Sequence, residues 1–261
     1  MLNNYDEERF IPGIYNYCDR WCERCSMTQR CLLYYQDSRR EAEHLAKGED
    51  PHAWNIVLQD LHESFQETLE MLRKHAEEEG IDLDAIDIES EFTSLQGKPV
   101  SKSPDPSDHP LHIKAHKYAM DTHKFLGKLH NVINEEIDNI NAGNVLAENI
   151  EEIKECFEVI AWYHIQIAVK IQRALCGKME AELEEEYEGS ADFSLHDANG
   201  SAKVAYHGLI RTMDALTKVY EWKKSLHDDI MPLLTDVYGL INGVDREFPG
   251  HKDFKRPGFD E

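Results

Sequence analysis

The stretch from about Leu146 to Glu186 is apolar on most sides of a helix through Ile160 to Leu175. A helix of that kind has to be enclosed by other elements. Elsewhere apolar residues recur at helical spacing nearly throughout, and no run alternates as a strand would. The expected fold is therefore all-α: an antiparallel helical bundle of about five or six helices, mostly joined by short connections, with a short Cys-rich N-terminal segment. A chain of 261 residues buries roughly 75% of its unfolded surface and needs no covalent staple to fold.

The reading along the chain has three parts. Residues 1–48 form the cysteine segment and a first helix, residues 49–246 the bundle, and residues 247–261 a tail. Ser26-Met27-Thr28-Gln29 has the form of a capping box, which would start a helix reaching about Lys47. A second helix follows Asp50-Pro51 and carries Trp54, Val57, Leu58, Leu61, Phe65, Leu69 and Leu72 on one face. Residues 80–110, with four prolines, read as a long connection with a short helix near Asp84 to Glu91. A third helix runs from about Leu111 to Asn141, directs Tyr118, Phe125 and Leu129 inward, and stops at Gly143. After the central helix, Gly189 and Asn199-Gly200 read as a loop leading to a helix with Ala202, Leu209 and Leu216 inward. That helix is expected to break or kink at Pro232, before a last one using Leu233, Val237 and Ile241. The tail, rich in Pro and Gly, reads as a disordered end or one ordered by contact.

Four of the six cysteines fall between residues 18 and 31, spaced C-x3-C-x2-C-x5-C. On one helix Cys18, Cys22 and Cys25 would share a face, and a chain reversal near Ser26 would bring Cys31 back to them. Five arginines against three acids surround this stretch in a chain of formal charge −23. Nearby guanidinium groups favour the thiolate, which is the ligating form. The pattern points to a metal centre on Cys18, Cys22, Cys25 and Cys31. One C-x2-C knuckle and the irregular spacing suit an iron–sulfur cluster, and zinc is the other expectation. Arg24 before the third cysteine, the fourth cysteine and the lack of a βα barrel set the chain apart from radical S-adenosylmethionine enzymes.

A second constellation is His112, His116 and His123 on the third helix with His164 on the central one, a His-based bundle site for which the cysteines would serve only as a structural pin. Tyr163, Lys170 and Gln172 share the central helix, and their polar ends need partners there. The Glu41-x-x-His44 pair supplies at best half of a ferritin-like di-iron pattern. No phosphate-binding loop, nucleophile elbow or H-E-x-x-H appears, so no reaction is assigned. The charge disfavours nucleic acid and membrane surfaces. It leaves open a redox partner, a basic protein docked on a non-enzymatic acidic adaptor, or a second copy. The first residues lack a secretory pattern and no apolar run is long enough to span a bilayer, so the chain reads as cytoplasmic.

Overall fold

The computed structural model describes residues 9–81, 105–142, 149–183 and 190–260, and among them there are six α-helices and no strand. These are α1 (Leu32–Ala46), α2 (Trp54–Glu78), α3 (Pro110–Asn141), α4 (Ile150–Leu183), α5 (Ser190–Trp222) and α6 (His227–Glu247). No described helix is long and apolar enough to cross a membrane. The short helix expected near Asp84 to Glu91 and the stop at Gly143 lie outside the described residues. By packing, the chain divides into one unit of Met1–Cys25 with Ser103–Glu261 and a second of Ser26–Lys102.

In the first unit, α3 to α6 form an up-down-up-down bundle. His123 meets His164 and His130 meets Phe157, so α3 and α4 are antiparallel. Arg173 reaches Asp197, while Lys117 and Lys128 reach Asp236 and Asp229, which orders α5 and α6 in the same alternating sense. Ile160, Ile167, Ile171 and Leu175 of α4 are all at most 1% exposed. Each such side chain contributes about 1.5–3 kcal/mol by leaving water, so the enclosure of α4 is the main source of cohesion. Pro110 occupies the first turn of α3, where its missing N–H costs nothing, and the His109 ring caps Leu111 N–H.

Two breaks fall elsewhere than the sequence suggests. Helix α5 runs straight through Asn199-Gly200 instead of starting after it. Gly200 sits where the Tyr17 ring and Phe254 press on the helix, and a Cβ there would run into Tyr17 and lie 2.7 Å from Phe254. The glycine permits close approach rather than a turn. The chain breaks at Lys223 to Leu226, and Pro232 is carried inside α6 near its start. There it forgoes one helical hydrogen bond, the one a backbone N–H at 232 would make to the Asp228 carbonyl. The tail is ordered, since Phe248, His251 and Phe254 are 1%, 2% and 6% exposed.

In the second unit, Thr28–Arg30 forms a single 3-10 turn and α1 begins only at Leu32, so Ser26 does not cap it. α1 and α2 are tied by a buried histidine. His44 bonds Glu49 through Nδ1 (2.7 Å) and Asp60 through Nε2 (2.9 Å). Both ring nitrogens therefore face carboxylates, and the bonds from Glu49 and then Asp60 raise the imidazole above its ordinary value. Arg40 adds a bond to Ser64 (3.3 Å). Helix α1 leaves the apolar stripe of α2 uncovered, with Trp54 74% and Phe65 62% exposed.

Replacing Gly200 by Ala is expected to cost about 1–3 kcal/mol through overpacking, read as a lowered thermal midpoint. A raised imidazole pKa stabilises the His44 tie below the ordinary value of about 6.5. That contribution is lost as pH rises through the raised value. Hydrogen exchange of α1 should therefore speed up with alkalinity beyond its intrinsic rate, and His44→Ala should abolish the dependence.

Candidate metal centre

The segment bearing the first three cysteines is not a helix, so they do not share a helical face. A 3-10 turn at Ile14–Asn16 is followed by irregular chain and a second turn at Cys22–Arg24. Between them Arg20 adopts φ 57°, a left-handed conformation uncommon for a side chain larger than Gly. That strain has to be held by surrounding contacts, and Asp19 and Trp21 on either side supply them.

Asp19 joins four side chains of the bundle. Its carbonyl accepts from Trp162 Nε1 (3.0 Å) and from the Gln166 amide. Its carboxylate accepts from the Tyr163 hydroxyl, from Arg211 Nη1 (3.2 Å) and from Trp21 N–H (3.2 Å). Arg211 also donates to the Tyr163 oxygen. Burial and the adjacent Asp19 push the Tyr163 hydroxyl far above its ordinary value. Trp21 stacks on Trp162 with ring centroids 5.0 Å apart and planes 14° from parallel. The Arg24 guanidinium lies 4.1 Å over Trp21 and is fixed by Glu155 and Glu158. Trp162, Tyr163 and Gln166 of α4 thus find their partners in the N-terminal segment, whereas the buried Nε2 of His164 has no hydrogen-bond partner among the described residues.

The cysteines are placed by this docking. The Cys18 thiol donates to the Tyr15 carbonyl (3.6 Å), and burial raises it above the ordinary thiol value. Lys170 stands in its electrostatic neighbourhood, and its own ammonium is pushed down by burial and then by Arg173. Cys22 and Cys25 bracket one turn, in which Cys25 N–H donates to the Cys22 carbonyl (3.1 Å). Cys31, in the second unit, is the N-cap residue of α1, and its carbonyl accepts from Tyr35 N–H (3.1 Å). None of the six cysteines forms a disulfide. Among the described residues no group of three or more His, Cys, Asp or Glu side chains stands ready to hold a metal ion.

The four bundle histidines separate into two pairs. His123 stacks over His164 at 5.6 Å, and the His112 and His116 rings are 6.4 Å apart. Seven residues along α3 keep His116 about 10 Å from His123. His164 donates from Nδ1 to the Ala161 carbonyl (2.7 Å), and burial lowers its pKa. His44, the one histidine of the half di-iron pattern, is used in the α1–α2 tie.

The anchoring residues Asp19, Trp162, Gln166 and Arg211 are not marked by any motif. The available signal was the run Trp162, Tyr163 and Gln166, three polar-tipped side chains on one side of an otherwise apolar helix. Neither a family model, nor a curated protein, nor a solved structure matches this chain.

Asp19→Ala is expected to leave the buried Tyr163 hydroxyl without its acceptor and to cost about 1–3 kcal/mol. Hydrogen exchange should show the loss concentrated in residues 18–25 while α3 to α6 stay protected.

Proposed function

We propose that this chain is a helical metalloprotein that binds an iron–sulfur cluster or a zinc ion through Cys18, Cys22, Cys25 and Cys31. The observation that carries the reading is the clustering itself: four thiols within fourteen residues, on a stretch richer in arginine than the rest of an acidic chain. Two local features support it. The Cys22–Cys25 turn has the tight C-x2-C form that metal knuckles use. Cys31 stands at a helix N-terminus, where negative charge such as a thiolate's is stabilised. The bound group would supply the cross-link that draws the thiols together, and with iron also electron transfer. The protein's own part is to hold Cys18 against the bundle through Asp19 and Trp21, and to set positive charge from Arg20 and Lys170 beside it.

Protein purified without oxygen and analysed for metal decides the matter. Iron with acid-labile sulfide and broad visible absorption is expected for a cluster, and one zinc per chain with no colour for a structural site. Cys22→Ser and Cys25→Ser should each weaken metal affinity at least about tenfold, read by competition with a chelator, since losing one of four ligands costs more than losing an outer partner, which is worth about 10–100-fold. Folded protein without metal after anaerobic preparation with iron and zinc supplied would refute the proposal.

A further inference from the structure

Helix α2 carries one face that no described residue covers. Trp54 and Leu72 stand about five turns apart and so lie on one line along the helix. Leu58, Leu61, Phe65 and Leu69 all fall within about 60° of that line. These six side chains are between 46% and 74% exposed. The contacts with α1 fall elsewhere. Asp60 and Ser64, which meet His44 and Arg40, sit about 120° and about 80° round the helix from the line.

Size, charge and residue order together say what fits this face. Taking about 150–250 Å² for a fully exposed large apolar side chain, the stripe with Val57 at its edge offers roughly 600–900 Å². A single chain ordinarily leaves no apolar patch above about 300–600 Å² in water. A stable pair of proteins covers about 800 Å² on each partner. Every carboxylate of α2 lies about 120° or more from the line, so a basic helix would meet no counter-charge beside the stripe. For the same reason two copies of this acidic chain can approach here without opposing their acids. The stripe also matches itself when reversed about Glu63: Trp54 falls opposite Leu72, Val57 opposite Leu69, and Leu61 opposite Phe65. Leu58 meets Thr68, the one polar member. Such self-complementarity is what a two-fold interface requires.

We propose that the apolar stripe of α2 is a dimer interface, on which α2 of a second copy lies antiparallel. The matched positions, 54 to 72, span about 27 Å of helix. Leu61 and Phe65 form the centre of the contact, and Trp54 closes each end over the partner's Leu72. The contact itself is apolar, while the two chains repel through a formal charge of −23 each. Salt screens that repulsion and therefore tightens the pair, where it would loosen a basic partner. The inference does not rest on the metal reading, since a pair bridged through cysteine-bound metal would be indifferent to changes on α2.

The test is sedimentation of the full chain, with thiols kept reduced, across micromolar concentrations at low and at high salt. The expected result is a monomer–dimer equilibrium that salt shifts toward the dimer. Phe65→Glu should raise the dissociation constant at least about thirtyfold, as loss of a central anchor does, with helical circular dichroism unchanged. Trp54→Lys and Leu72→Glu should each weaken self-association. Mixed together, these two variants should pair again, because antiparallel packing sets position 54 of one chain against position 72 of the other. Recovery on mixing needs folded chains, so it also answers the concern that a variant misfolds. A chain that stays monomeric at the highest concentration and salt would overturn the proposal and leave the stripe to another kind of partner. So would a dimer that Phe65→Glu leaves intact, or a mixture that fails to pair.

Discussion

The structure depends on the enclosure of α4. Its buried isoleucines and Leu175 require neighbours on nearly every side, and α3 and α5 supply most of them, with α6 closing the bundle against α3 and α5. The same helix presents Trp162, Tyr163 and Gln166 at its border, where bare polar tips facing apolar surroundings would be costly. The N-terminal segment answers that need with Asp19 and Trp21. The segment buries Phe10, Ile14, Tyr17 and Trp21, and Trp21 belongs to the same buried cluster as Ile160 and Leu209.

The cysteines gain their positions second-hand. Asp19 and Trp21 flank the strained Arg20, and both are fixed on α4 and α5, so Cys18 and the Cys22–Cys25 turn inherit a frame independent of any bound group. On the opposite flank the tail presses Ile11 to Tyr17 onto Gly200. Segments from the two ends of the described chain thus share one joint on α5, and the packing of either is conditional on the other. The charges there are mostly paired, with Asp197 taking both Tyr17 and Arg173. Among the described residues Lys170 forms no ion pair of that kind and remains half-buried near Cys18.

The second unit is organised differently. Its two helices are joined through ionic and polar contacts at His44 and Arg40 more than through apolar burial, and His44 is the rare fully enclosed charged-type side chain there. The spacing of Trp54, Leu58, Leu61, Phe65 and Leu72 correctly marks a helix, but α1 does not cover that stripe. Periodicity reports which residues share a face and carries no information about what meets it.

Helix content, the central place of α4 and the span of α3 were legible in the sequence, because the 3.6-residue period is a local property that each stretch writes for itself. By sequence alone Gly200, Pro232 and Ser26 read as breakers or caps. Those roles hold only when nothing else claims the backbone, and here Tyr17, Phe254 and the neighbouring helices did. The cysteine spacing was visible, whereas its support on Asp19, Trp162 and Arg211 was not, since Trp162 and Arg211 lie more than a hundred positions from Asp19 and signal nothing singly. Order in the tail was likewise decided by tertiary contact: Phe254 and His251 gain enough by leaving water against α5 and α6 to offset the entropy of fixing a Pro- and Gly-rich end.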